Sequence, residues 1–376
     1  MKRKLLSILI AFSLTLSVTA CGQANTNENI VSNTENTSTT AEEETVSEQT
    51  SENQTTLESS LDEAANTDIP LTQYPVTVTD QAGREVTIDS EPEKLVSGYY
   101  ISSSLLIALD LDDKLVGIEA KAGKRPIYAL SAPELIDLPN VGTAKEFDLE
   151  GCIALEPDLI ILPLKLKNTA ETLEKLDIDV LYVNPENQEL LTDMMTLIGT
   201  ATNTQAKTAQ LMSFVEKQEA TLTDLLAKAE TPSVYLAGNS SMLSTAGDAM
   251  YQSNMITLAG GKNVAADITD TYWVEIDYEQ LLSWNPDYII LASDADYSVD
   301  DVLADPNLTE CAAVKNKNVY QMPSKAESWD SPVPSGILGS VWLATILHED
   351  LFTADEASAI IDEYYETFYD FKYSEK

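Results

Sequence analysis

Histidine occurs once in 376 residues, at position 348, and that scarcity removes most histidine-dependent chemistry. A Ser-His-Asp triad would have to be built around His348, and no Gly-x-Ser-x-Gly elbow accompanies it. His348 closes an apolar helical stretch, where contact with terminal carbonyls suits it better than metal ligation. Positive charge is also sparse. Lys and Arg number 22 against 62 Asp and Glu, a formal net charge of −40, so no basic field exists to displace counterions from nucleic acid. Cysteine numbers three; Cys152 and Cys311 could pair only if the fold brings them together, and otherwise read as small buried apolar residues. No phosphate loop, dinucleotide fingerprint, HExxH helix or calcium loop is present, and no metal ligands are assigned. Paired carboxylates need no histidine, so catalysis is not excluded, yet nothing in the chain asks for it.

One long apolar run, Leu5 to Leu16, follows the basic residues Lys2, Arg3 and Lys4 and precedes Val18-Thr19-Ala20-Cys21. It is too short for a membrane span and ends in small residues, so residues 1–20 read as a signal peptide. The cysteine after the small pair resembles a bacterial lipobox, which implies cleavage before Cys21 and lipidation of its thiol. Acyl chains there would anchor the protein to the extracytoplasmic face of the cell membrane. From Gly22 to Gln73 there is no Lys or Arg and there are eleven Asp or Glu, so residues 21–73 read as a lipidated cysteine on a disordered acidic linker. Roughly fifty such residues span on the order of 40 Å root-mean-square.

A fifteen-residue pattern occurs twice. Asp148-Leu-Glu150-Gly-Cys-Ile-Ala-Leu-Glu156-Pro157-Asp158-Leu-Ile-Ile-Leu162 aligns without a gap on Asp277-Tyr-Glu279-Gln-Leu-Leu-Ser-Trp-Asn285-Pro286-Asp287-Tyr-Ile-Ile-Leu291, with seven identities. Each copy predicts a capped helix start, a short helix, a Pro-Asp break where the proline pushes its predecessor out of the α region, and a buried strand. A separation of 129 residues is too long for a solenoid period and suggests two α/β lobes with a crevice between them.

The remaining periodicity fills in those lobes. Val76 to Ile88 alternates around an Asp-x-x-Gly turn and predicts a hairpin. Strands are predicted over 95–99, 115–119, 159–162 and 180–183, with a helix through Leu105, Leu106 and Leu109, which makes residues 74–203 an amino-terminal lobe. Residues 204–230 carry Leu211, Val215, Leu222, Leu225 and Leu226 at helical spacing without Gly or Pro, a predicted connecting helix of roughly 39 Å. Residues 231–376 repeat the alternation, with strands over 233–237, 288–291 and 319–322 and helices over 251–259 and 335–348. A closing helix carries Ile360, Ile361, Tyr364, Phe368 and Phe371. The expected fold is α/β, two Rossmann-like lobes joined by a single long rigid helix, with the ligand cleft between them.

Candidate site residues follow from the rule that parallel sheets bind ligands outside the carboxyl ends of their strands. Lys121, Lys124 and Arg125 follow the second strand, and Lys165 and Lys167 follow the first Ile-Ile-Leu run. Five cations in an acidic chain suit a small anionic ligand, and also fit solvated loop lysines. Tyr99, Tyr100, Tyr128, Tyr272, Trp273 and Trp329 fall in loops, where each ring can face a ligand or pin the core. Trp329, before Asp330-Ser331-Pro332, can equally staple the helix that follows. Asn239 and Ser240 follow a strand and offer polar contacts from the second lobe. Glu150 and Glu279 occupy equivalent repeat positions, either complementing helix dipoles or docking on a two-fold partner.

Together these segments resemble the bacterial substrate-binding lipoproteins of ABC importers for iron chelates, haem and cobalamin. The resemblance covers Val76 to about Phe352. It rests on Asp80-Gln-Ala-Gly83-Arg84, Leu138-Pro-Asn-Val-Gly142, both Pro-Asp units, Leu258-Ala-Gly-Gly-Lys-Asn263, and Ala313-Val-Lys-Asn-Lys-Asn-Val-Tyr320. It implies two lobes on a rigid helix, a monomer without cofactor, and an ABC permease dimer as partner, on whose arginines Glu150 and Glu279 would dock. The implied cargo is a metal chelate, a ferric siderophore first and haem or a corrinoid next. An oxyanion such as molybdate, a lipid-tethered enzyme, and an adhesin or sensor head stand as alternatives.

Overall fold

The two copies of the repeat build two sheets of the same strand order. The structure, a computed structural model, describes residues 69–269 and 272–376; the signal segment, Cys21 and nearly all of the acidic linker lie outside the described residues. The hairpin is formed by β1 (Val76–Thr79) and β2 (Glu85–Ile88), paired antiparallel. Its turn is held by the Asp80 carboxylate, which accepts the backbone N–H groups of Ala82 and Arg84 and the Arg84 guanidinium, while Gly83 takes the left-handed φ of 77°.

The first lobe carries β3 (Leu95–Ser97), β4 (Leu115–Ile118), β5 (Leu159–Pro163) and β6 (Asp179–Val183), all parallel, in the order β4-β3-β5-β6. The second carries β7 (Ser233–Ala237), β9 (Lys262–Asn263), β11 (Tyr288–Leu291) and β12 (Val319–Gln321), also parallel, in the order β9-β7-β11-β12. In both, the second strand lies outside the first and the third lies on its other side. That places a topological switch point, where α/β sheets bind ligands, between the first and third strands of each lobe. A separate ribbon, β8 (Ser244–Ala246) with β10 (Trp273–Glu275), stands beside the second sheet. These two strands and β9 are two or three residues long, too short for a sequence pattern to reveal.

The repeat acts through hydrogen bonds. Asp148 and Asp277 cap their helices by accepting the backbone N–H of Gly151 at 2.9 Å and of Gln280 at 2.8 Å. The residue before each proline leaves the right-handed α region as expected. It enters the left-handed region (Glu156 φ 51°, Asn285 φ 43°) and not the extended one, so the chain reverses into the strand within one residue. The aspartates that follow tie each sheet together. Asp158 accepts the N–H groups of Glu93 and Lys94, both at 2.9 Å, just before β3. Asp287 accepts the Ser233 N–H at 2.8 Å and hydroxyl at 2.6 Å, at the start of β7.

The connecting helix runs from Gln205 to Leu226, about 33 Å. It buries Leu211, Phe214, Val215 and Leu222, and packs on Gln188–Ala201 of the first lobe and on Tyr251–Leu258 and Ile337–Leu347 of the second. The final helix, Ala354–Tyr369, starts at a Thr353–Glu356 capping box. It ends earlier than its apolar pattern implies because Asp370 turns left-handed at φ 58°, and Phe371 folds back to stack on Tyr365 at 4.9 Å. This helix also packs on Tyr100–Ala108 of the first lobe. Cys152 and Cys311 are buried free thiols in separate cores. Among the described residues no helix is long and apolar enough to cross a membrane.

Candidate functional site

Where β3 ends, the chain crosses close over β5: a Cβ on Gly98 would lie 2.5 Å from Leu162 Cδ2. This close approach delivers Tyr99 and Tyr100 to the switch point at the start of the helix Tyr100–Ala108, with their rings edge to face at 5.4 Å. After β4 the chain makes a tight turn over Ala122–Lys124, which carries Lys121, Lys124 and Arg125 to the same place. The Arg125 guanidinium lies 4.1 Å from the centre of the Tyr100 ring, and its Nε is buried without a partner among the described residues. A stacked guanidinium with an unmet donor is suited to an incoming anion.

Two recesses open on either side of the tyrosine pair. One, of about 500 Å³, is bounded by Gly98, Tyr99, Tyr100, Glu119, Lys121, Arg125 and the loop from Gly142 to Glu146. The other, of about 380 Å³, spans both lobes. Tyr99, Tyr100 and Glu186 face Asn239, Ser240, Ser241, Gln252, Trp273, Glu275 and Asp330 across it. A smaller recess of about 190 Å³ behind Tyr100 holds Lys124, Arg125, Tyr128 and Glu327. Burial drives the Tyr99 phenol far above its usual range, so it presents as a neutral hydroxyl.

Buried carboxyls support this floor. Glu119 accepts hydroxyls from Ser103 at 2.7 Å and Tyr128 at 2.8 Å. Burial raises its pKa, and those two bonds oppose the rise. Asp330 accepts the Ser293 hydroxyl at 2.6 Å, and its pKa is raised by burial against the pull of that bond. The lobes are stitched beside the cleft by backbone bonds from Ile127 N–H to the Ala326 carbonyl (3.1 Å) and from Tyr251 N–H to the Glu186 carbonyl (3.2 Å).

The structure thus brings Tyr99, Tyr100, Lys121, Lys124, Arg125, Asn239, Ser240 and Trp273 into the walls of these recesses. Tyr128 lines only the smallest of them, and the remaining candidates lie elsewhere. Trp329 is core, 1% exposed, donating its indole N–H to the Tyr365 hydroxyl at 2.9 Å. Tyr128 is equally buried and reaches the site through Glu119. Lys165 and Lys167 are exposed on the turn Leu164–Thr169, and Tyr272 is half exposed; none of the three lines these recesses. His348 packs its ring against Gly260, and its Nε2 has no partner among the described residues.

Glu119, Glu186, Gln252 and Glu275 also line the cleft, and sequence reasoning had not singled them out. Glu119 carried a signal, since it ends a predicted strand on the ligand-binding side. Glu150 and Glu279 are exposed in the first turns of the helices Leu149–Ala154 and Tyr278–Trp284, without a side-chain bond or ion pair among the described residues. A helix preceding a parallel strand runs antiparallel to it, so both glutamates stand on the cleft side of their own lobe.

This architecture, two equivalent α/β lobes with an aromatic and cationic crevice at their switch points, is that of a solute-binding protein. Residues 95–326, more than half of the chain, match the family model described as periplasmic binding protein, and the chain belongs to that family. It is 26% identical over 321 residues to the molybdate-binding protein MolA of Haemophilus influenzae, covering 78% of this chain and 90% of that protein. It is 28% identical to the ABC transporter substrate-binding lipoprotein YvrC of Bacillus subtilis, covering 66% of this chain and 78% of that one. Among solved structures, a periplasmic solute binding protein of Veillonella parvula superposes with a TM-score of 0.69 at 26% identity, over 79% of this chain and 93% of its own. The protein is therefore an extracytoplasmic solute-binding protein and not an enzyme.

Proposed function

We propose that the protein captures a metal chelate in the interlobe cleft and delivers it to a permease dimer, as a monomer tethered to the membrane through lipid on Cys21. A ferric siderophore is the foremost class of cargo, with haem or a corrinoid next. The observation that carries this reading is the pair of recesses sharing Tyr99 and Tyr100, with Arg125 stacked on Tyr100. Recesses of about 500 and 380 Å³, sharing the Tyr99 and Tyr100 rings, the interlobe one lined otherwise mainly by polar groups, have the dimensions of sites for drug-sized ligands. Glu150 and Glu279, exposed at equivalent places on the two lobes, are the docking carboxylates of this scheme.

A second reading, an oxyanion as cargo, is favoured by the extent of the likeness to the molybdate-binding protein. Thermal unfolding with ferric siderophores, haem, corrinoids and molybdate decides between them. A ligand at a hundred times its dissociation constant stabilises by about 2.7 kcal/mol. A shift with a metal complex and none with molybdate supports the chelate; the reverse outcome overturns it.

A further inference from the structure

The cleft is not uniformly cationic. In the larger recess Lys121, Arg125 and Lys145 outnumber Glu119 and Glu146, whereas no Lys or Arg lines the interlobe recess. That second recess carries Glu186, Glu275 and Gln252 instead. Trp273 and Glu275 sit two residues apart on β10, so strand periodicity turns both to the same side. The backbone bond from Tyr251 to the Glu186 carbonyl fixes the loop that bears the first carboxylate.

Gln252 supplies an independent observation. It is 5% exposed, and its Nε2 donates to the Asp330 backbone carbonyl at 2.6 Å. A carbonyl can only accept, so the amide nitrogen must face it and Oε1 must face away. That Oε1 is buried without a partner among the described residues. An unmet buried acceptor in the wall of a ligand recess calls for a donor.

We infer, resting on the chelate reading above, that the two recesses read opposite ends of an amphoteric metal complex. Lys121 and Arg125 hold an anionic group, while Gln252, Glu186 and Glu275 accept hydrogen bonds from carboxamide or ammonium donors. The tyrosine pair between them stacks on the body of the ligand. A compact polyanion satisfies only the first recess and brings its remaining charge against two carboxylates, which discriminates against it.

The test is a titration of the full chain, followed by the fluorescence of its tryptophans, with three complexes and molybdate. Cyanocobalamin carries a phosphodiester and primary carboxamides; ferrioxamine B carries an ammonium and no anionic group; a ferric tris-catecholate is a trianion. Cyanocobalamin is expected to bind at least tenfold more tightly than the tris-catecholate. The double variant Glu186→Gln with Glu275→Gln should tighten the tris-catecholate about tenfold, with the melting temperature confirming that the fold is intact. Gln252→Leu should weaken cyanocobalamin and ferrioxamine B and leave the tris-catecholate unchanged. Tighter binding of the tris-catecholate to the unaltered chain, indifferent to the glutamate replacements, overturns the inference and leaves the chelate reading standing. Binding of molybdate alone, or of no complex, removes the chelate reading and this inference with it.

Discussion

The hydroxyl of Ser104, on the first helix of the first lobe, donates to Glu327 of the second at 2.5 Å, and the other carboxyl oxygen accepts Ser335 at the same distance. This bridge is buried behind Tyr100 and is joined by the Tyr369 hydroxyl, 2.9 Å from Ser104. Burial raises the pKa of Glu327, the two serine bonds and Arg125 opposing it. The folded state therefore holds the proton more tightly than the unfolded chain. The stability this confers is fully present below the unfolded value of about 4.3 and is lost as pH rises through the folded value. Glu119 and Asp330 act in the same direction. Glu91, held low by its bond from Lys114, acts in the opposite sense and only in acid. Urea unfolding of Glu327→Gln across pH 4 to 8 should show a shallower decline than the parent, each carboxyl contributing at most about 1.4 kcal/mol per pH unit. A parallel decline would show that this carboxyl does not titrate between the two states.

Asp158→Ala and Asp287→Ala each remove one carboxylate that accepts two hydrogen bonds at the head of a sheet. Each should cost about 1–2 kcal/mol, since bonds to a charged acceptor are stronger than neutral ones but these are exposed, so water partly replaces the lost acceptor. Because the two sit in different sheets, the costs should add in the double variant, as measured by denaturant unfolding.

Those aspartates mark how far the sequence could be read. The Pro-Asp identity between the repeats was visible, and with it two lobes of like construction. That Asp158 and Asp287 reach across to the first strand of their lobe was not, because the acceptors and donors lie 64 and 54 positions apart. The same limit governs the site. Tyr99 and Tyr100 were legible because they follow β3 closely, and Arg125 because it lies one short turn beyond β4, so chain direction puts all three at the carboxyl edge. Trp329 stands among Ser, Asp and Pro, which gives it the local look of a loop aromatic. Its partner Tyr365 comes 36 positions later, on a helix whose docking no local pattern encodes. Lys165 and Lys167 follow a strand too, but a tight helical turn carries them outward to solvent.

Arg125→Ala should weaken binding of an anionic chelate by at least tenfold, because the stacked guanidinium contributes both charge and a donor that is otherwise unmet. Lys121→Ala should weaken it less, as an exposed ammonium is screened by water. Lys165→Ala and Lys167→Ala should leave the dissociation constant unchanged. Calorimetric titration of the four variants checks the order.

Glu150→Lys and Glu279→Lys test the docking role. Each side chain is exposed and makes no ion pair among the described residues, so reversal should change stability only by the dipole contribution, about 0.3–1 kcal/mol. Uptake in cells carrying the permease should fall severalfold while ligand affinity stays constant. Normal uptake by both variants would leave dipole complementation as their whole role.

Gly142 shapes the wall of the larger recess, and its replacement should act on affinity through the backbone. Its φ is 88°, and a Cβ there would fall on the Glu146 carbonyl oxygen. The neighbouring loop is closed by reciprocal backbone bonds between Thr143 and Glu146, both 3.1 Å, and is tied to the sheet by Ala120 N–H to the Gly142 carbonyl at 2.9 Å. Gly142→Ala must therefore adopt a strained left-handed conformation, costing about 1–2 kcal/mol, and push the Glu146 carbonyl away. Moving that carbonyl shifts Lys145 and Glu146 at the cleft wall, while Arg125 and the tyrosines remain in place. Affinity should fall by more than the small loss of stability would suggest, and the difference should disappear for a ligand confined to the interlobe recess. Equal loss for ligands of both recesses would instead mean that the loop supports the whole lobe, a distinction that paired titration and thermal unfolding of the variant resolve.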